Sequence, residues 1–233
     1  MISIIIPVYN EQDNLPLLME KISAVLPKLG DSTEVILIND GSTDGSLTVM
    51  KILKEKYSAV RIISLDRNRG QSAAFDRGFR SARGDIIVTL DADLQNDPED
   101  IPKLVDKLES CDMAYGWRRD RKDPPLKLAS SSIANFIRNK VTGEDIKDTG
   151  CSLKAYKKHC LEKIKLYDGM HRFLPTLARM EGFRAEEVEV SHNPRRYGKT
   201  KYNLSKRLVS PLLDLLAVAW MKKRRFHYKW EEL

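Results

Sequence analysis

The chain has 233 residues, of which 42% are apolar and 31% charged, and its 40 lysines and arginines against 33 aspartates and glutamates give a net charge of +7. A domain of this size buries about 70% of its unfolded surface, so the composition excludes a disordered chain, a collagen-like repeat and a disulfide scaffold. Cys111, Cys151 and Cys160 are odd in number and lack CxxC spacing, so they read as reduced thiols in a cytoplasmic protein, not as a zinc site.

Residues Ile2–Val8 form an unbroken apolar run with no basic region before it, which predicts a strand buried on both faces and argues against a signal peptide. Helical spacing follows over Asn14–Leu26, then a strand over Glu34–Asn39 and a helix over Ser42–Tyr57 capped by Ser42 or Thr43. Val60–Leu65, Ser72–Ala82, Asp85–Leu90, Pro98–Glu109 and Met113–Tyr115 continue as strand, helix, strand, helix and strand. This alternation predicts an α/β doubly wound, mostly parallel sheet with helices on both faces. After Gly116 come a polar loop (Arg118–Pro125), a helix over about Leu126–Val141, irregular segments and a strand over Glu186–Val190. The expected division is a nucleotide-fold core over 1–116 and an acceptor-side elaboration over 117–203, then a basic amphipathic tail over 204–233.

In such sheets ligands bind outside the carboxyl ends of the strands. Asp91 and Asp93 follow the fourth strand at i and i+2. Carboxylates so placed repel unless a cation neutralises them, and an all-oxygen set with Gln95 suits Mg²⁺ or Mn²⁺. A capping acidic turn before Pro98 is the competing reading, although Asp97 is the better cap. Asp40 at the tip of the second strand suits a base or ribose, against a plain capped turn. The loop Pro7–Asn14 contains no glycine, so it is neither a dinucleotide fingerprint nor a P-loop, and Tyr9 and Glu11 suit a base or sugar ring.

The charge is unevenly spread. Residues 195–233 hold eleven basic and three acidic residues, a net of +8, whereas residues 1–194 sum to −1. The stretch His192–Tyr202, with four cations, Gly198 and two tyrosines, suits a loop closing over a pyrophosphate, or else a solvated charge run. Leu208–Met221 contains Ser210, Pro211 and Asp214 and is too short to span a bilayer. Flanked by lysines and arginines, it suits an anionic membrane surface or a packing helix. The near-neutral first 194 residues and the lack of a recognition motif argue against a nucleic-acid-binding module.

Ile4–Glu11, Asn39–Asp44, Asp91-Ala92-Asp93, Asn68-Arg69-Gly70, Asp148-Thr149-Gly150-Cys151, His171–Pro175 and the Arg195–Tyr202 loop together resemble glycosyltransferase family 2. Within it they resemble the polyprenyl-phosphate glycosyltransferases, which include dolichol-phosphate mannosyltransferases and bacterial undecaprenyl-phosphate sugar transferases. The resemblance implies the GT-A nucleotide-diphospho-sugar transferase fold and an inverting transfer from a nucleotide-diphosphate sugar to a polyprenyl phosphate at the cytoplasmic membrane face. It assigns Pro7, Tyr9, Glu11, Asp40, Asp91 and Ala92 to the nucleotide sugar, and Asp91, Asp93 and Gln95 to a divalent metal. Arg118, Lys127 and Ser131 fall on the lipid phosphate, and Arg195 and Lys201 close on the diphosphate. The Asp-x-Gly-Cys and His-Arg-Phe segments are similar to the bacterial group, favouring a UDP-sugar over GDP-mannose. Many members continue into transmembrane helices that these residues lack.

A phosphate monoester, with its second pKa of about 6, is already a nucleophile at neutral pH. That agrees with the lack of a histidine dyad among His159, His171, His192 and His227, of which His171 and His192 read as loop-ordering. A saccharide or protein hydroxyl acceptor would instead want a carboxylate base, for which Asp148 is the candidate.

Overall fold

The computed structural model describes residues 1–30, 32–120, 125–194, 204–226 and 231, with the side chains of 125–129 and 204–210 outside that description. Strands β1 (Ile2–Val8), β2 (Thr33–Asn39), β3 (Val60–Ser64), β4 (Ile86–Thr89), β5 (Met113–Arg118), β6 (Lys154–Lys157) and β7 (Ala185–Val190) form one sheet in the order β3-β2-β1-β4-β6-β5-β7. Every pairing is parallel except those of β6, which runs antiparallel between β4 and β5. The helices are α1 (Leu15–Val25), α2 (Ser46–Lys56), α3 (Gln71–Ser81), α4 (Ile101–Lys107), α5 (Pro125–Thr142), α6 (Lys158–Glu162), α7 (Leu174–Met180) and α8 (Leu204–Arg224).

The apolar run of β1 is buried on both sides because successive side chains point to opposite faces of the sheet. Ile4, Ile6 and Val8 join the core under α1 and α4, whereas Ile5 joins the core with Phe75 of α3 and Ala178 of α7. A smaller cluster joins Leu215 and Val218 of α8 to Met170, Phe173 and Leu177, so α8 is packed on the body along one face. Among the described residues, no helix is long and apolar enough to cross a membrane.

Four expectations are corrected. Helix α2 begins at Ser46, because Ser42 and Thr43 are engaged by Asn10 instead of capping, and Asp44 accepts the Ser46 N–H at 2.9 Å. The segment from Pro98 opens as a 3₁₀ turn capped by Asp97, which accepts from the Glu99 N–H, and becomes α-helical only at Ile101. Strand β5 runs on to Arg118, which places that side chain at a strand tip and not in a loop. The segment expected to be irregular contains β6, whose sequence Lys-Ala-Tyr-Lys carries no apolar run.

Candidate active site

The loops after β1 and β2 are stapled together. The Asn10 N–H donates to Ser42 Oγ, the Thr43 N–H donates to Asn10 Oδ1 at 2.7 Å, and the Glu11 N–H donates to Ser46 Oγ at 2.8 Å. Asn10 adopts φ +53°, a left-handed conformation that asparagine tolerates. Tyr9 and Glu11 are half-buried on this staple, and the Glu11 carboxylate accepts from Asn14 Nδ2 at 2.6 Å.

Asp40 is buried and has a structural task that its position in sequence does not reveal. Its carboxylate accepts from the Arg69 N–H (2.7 Å), the Gly70 N–H (3.0 Å) and Asn68 Nδ2 (3.1 Å), so it holds the loop that leads into α3. Burial raises its pKa, against the two backbone donors, which lower it. Next to it Gly41 has φ +65°, and a Cβ there would lie 2.3 Å from the Arg67 carbonyl carbon and the Asn68 nitrogen. Gly41→Ala is therefore expected to cost well above the roughly 1 kcal/mol of a left-handed alanine alone, visible as a lowered melting midpoint.

Asp91 and Asp93 leave β4 at the centre of the crevice, and Ala92 between them is buried in the core. The Asp91 N–H donates to Ser152 Oγ at 3.2 Å, and Asp91 Oδ1 accepts from Gln71 Nε2 at 2.7 Å. Burial, together with the negative charge of Asp93, pushes the Asp91 carboxyl up to about 6. Leu94 then turns the chain with φ +61°, a strained conformation for a buried branched side chain. After that turn the Gln95 N–H donates to Asp93 Oδ1 at 3.2 Å, and Gln95 Nε2 lies 3.4 Å from His192 Nε2. Among the described residues no three or more His, Cys, Asp or Glu side chains form a complete metal cage. The donor set is thus two mutually repelling carboxylates and an amide. That fits Mg²⁺ or Mn²⁺, which keep waters and share ligands with phosphates.

The sign of the pH effect follows from Asp91. Its folded pKa lies above the unfolded carboxylate value, so between about pH 4 and 6 the folded state binds the extra proton and stability without metal falls as pH rises. Cation binding needs the ionised form. Calorimetric uptake of Mn²⁺ is therefore expected to weaken steeply as pH falls through about 6.

At the tip of β5 Arg118 forms a buried bidentate pair with Asp148, Nε to Oδ2 at 2.6 Å and one terminal nitrogen to Oδ1 at 3.0 Å. Asp148 also accepts from the Gly150 N–H at 3.0 Å. Ser131 is half-buried on α5, and α5 is held by Asn135, which donates to the Lys147 carbonyl and accepts from Thr149 Oγ1. Lys127 has its side chain outside the described residues, as do Arg195 and Lys201 entirely.

Gln71, Asn96, Ser152 and Lys154 were not singled out by sequence, whereas His171 and His192 were. Gln71 and Ser152 each bond Asp91, and Asn96 accepts from Ser152 Oγ at 3.0 Å. His192, expected only to order a loop, is buried against Gln95. His171 sits 2.6 Å by Nδ1 from Ser72 Oγ, and burial keeps its pKa well below the usual value, so it is a neutral link between α3 and the 170–173 turn. Lys154 is buried beneath the site and its Nζ donates to the Cys151 carbonyl at 2.5 Å.

A family model described as glycosyl transferase family 2 matches residues 3–165. The chain belongs to that family. It is 39% identical over 228 residues to a dodecaprenyl-phosphate galacturonate synthase of Rhizobium johnstonii, covering 95% of this chain and 67% of that protein. An undecaprenyl-phosphate 4-deoxy-4-formamido-L-arabinose transferase of Serratia proteamaculans is 39% identical over 217 residues, covering 92% and 66%. The chain thus spans about two-thirds of the length of these curated relatives. Among solved structures, glucosyl-3-phosphoglycerate synthase of Mycobacterium tuberculosis, in complex with Mn²⁺, UDP-glucose and phosphoglyceric acid, superposes with a TM-score of 0.75 at 18% identity, covering 94% of this chain and 80% of the other. The GT-A architecture implied by the sequence resemblance is the one observed, with β6 as its antiparallel insertion.

Proposed function

We propose that this family 2 glycosyltransferase moves a sugar from a nucleoside-diphosphate donor, a UDP-sugar in preference to GDP-mannose, to a polyprenyl phosphate. The observation that carries the reading is the Arg118–Asp148 pair. Asp148 is the carboxylate that a hydroxyl acceptor would want as its base, yet it is already committed to two Arg118 N–H groups and the Gly150 N–H. An acceptor that brings its own anionic oxygen needs no such base, and two relatives at 39% identity are named for polyprenyl phosphates.

In this mechanism the loop from Pro7 to Glu11 and the tip at Asp40 hold the nucleoside. Asp91, Asp93 and Gln95 would hold a divalent cation, which when bound supplies positive charge to the diphosphate leaving group. Arg118, oriented by Asp148, draws the acceptor phosphate into line with the anomeric carbon, with Lys127 and Ser131 assigned beside it. A phosphate oxygen forms the new bond to that carbon as the bond to the donor diphosphate breaks, and the electron pair leaves with the nucleoside diphosphate. One such displacement inverts the anomeric centre. Arg195 and Lys201 are assigned to the departing diphosphate. Placement and charge stabilisation supply the rate.

A lipid acceptor calls for contact with an anionic membrane surface at its cytoplasmic face. Helices α5 and α8 pack on each other and expose Ile133, Phe136 and Ile137 on one and Leu213, Leu216 and Trp220 on the other, next to Lys223, Arg224 and Arg225. Such a face suits the interfacial layer of a bilayer. Flotation with anionic vesicles at moderate salt is expected to carry the protein upward, and a protein that stays at the bottom as a dimer would favour a packing role for this face. Incubation with a radiolabelled UDP-sugar and undecaprenyl phosphate is expected to yield label in an organic-extractable, acid-labile lipid. Label confined to water-soluble product would favour a hydroxyl acceptor.

A further inference from the structure

Lys154 carries a charge for which the chemistry above has no use. It sits on β6, opposite Thr89 of β4 and Tyr115 of β5, and so lies between the strand that ends in the acid pair and the strand that ends in Arg118. Its side chain is only 5% exposed. Burial lowers its pKa, while Asp91 and Asp148 both act to keep it protonated. Asp91 in turn has Lys154 and Arg118 among the charges that hold it down against burial. A buried ammonium is costly unless such partners repay it, and one neutral hydrogen bond to the Cys151 carbonyl would be served by an uncharged donor.

We propose that Lys154 is the fixed counter-charge that makes cation uptake by Asp91 and Asp93 depend on a nucleoside diphosphate; this rests on the cation reading above. With all groups ionised, Asp91 and Asp93 and the two cations that act on Asp91, Arg118 and Lys154, sum to zero, too little to draw in a dication strongly. A nucleoside diphosphate brings its own negative charge and completes the ligand set, so the two enter together. Without the ammonium the same groups stand at −1, and a lone dication binds more tightly. In this role Lys154 touches neither substrate nor metal and is a positioning residue acting through charge.

The test is calorimetric binding of Mn²⁺ to the full chain at pH 8, with and without UDP, for the wild type and for Lys154→Gln, Lys154→Met and Lys154→Arg. At that pH the carboxylates are ionised, so the comparison reads charge and not proton release. The wild type is expected to bind Mn²⁺ alone at least about ten-fold more weakly than with UDP, given the size of charge interactions over a few ångströms of protein. Lys154→Gln keeps a donor for the Cys151 carbonyl and loses the charge, and Lys154→Met loses both. Both are expected to bind Mn²⁺ alone at least about ten-fold more tightly than the wild type and to gain less from UDP, whereas Lys154→Arg behaves as the wild type. If the lysine only supports the Cys151 turn, Lys154→Gln binds like the wild type, which overturns the inference. Wild type that takes up Mn²⁺ equally with and without UDP overturns it too, even should every variant fail to fold. No Mn²⁺ uptake under either condition removes the cation reading itself and the inference with it.

Discussion

Asp93→Asn is expected to lower turnover by on the order of a hundred- to a thousand-fold, the scale of losing one preorganised electrostatic element, while the protein melts at the same temperature or higher. Asp93 and Asp91 leave β4 two residues apart, and the charge of Asp93 is one of the two causes that raise Asp91. Without a cation the pair is a local liability, so neutralising one member relieves repulsion in the folded state. With a cation the same substitution removes one of two anionic ligands. Loss of activity with unimpaired folding is the signature of a group kept for its ligand. An Asp93→Asn protein that turned over at near-normal rate would remove the pair from the site.

Asp148→Asn is expected to behave in the opposite way, with activity and stability falling together. Asp148 and Arg118 are both buried, and removing one partner of a buried pair costs about 3–5 kcal/mol because the other charge is left unpaired. For a chain of this length that is a fall of about 10 °C in melting midpoint. A general base would show the reverse, since Asp148→Asn would keep the fold and lose only the pH-dependent limb of the rate. Arg118→Met combined with Asp148→Leu separates the two further. It is expected to recover much of the stability, as apolar replacement of buried pairs does, and none of the activity.

What could be read from the sequence was whatever neighbouring residues specify. The Ile2–Val8 run announces a doubly buried strand, and Asp91-Ala92-Asp93 after an apolar strand announces a charge problem that a cation would solve. What could not be read depends on partners far along the chain. Asp40 holds the backbone of residues 69 and 70, Arg118 is paired with a residue 30 positions away, and Asp91 is bonded to Gln71 and Ser152. Strand β6 escaped for a different reason. Its lysines carry the wrong polarity for a buried strand, and at Lys154 the cost of burial is offset by the charges of Asp91 and Asp148 and by the bond to the Cys151 carbonyl. The misplaced start of α2 is similar: Ser42 and Thr43 look like caps locally, but Asn10 from the neighbouring loop claims them.

In the proposed reaction the acceptor supplies its own nucleophilic charge. The direct measurement offers undecaprenyl phosphate and undecaprenol side by side to the enzyme with a UDP-sugar and Mn²⁺, following product from pH 6 to 9. Product is expected from the phosphate alone, at a rate that levels off above about pH 7, where the phosphate is almost fully ionised. Product from the free alcohol at a comparable rate, rising with pH as a base is unmasked, would contradict it.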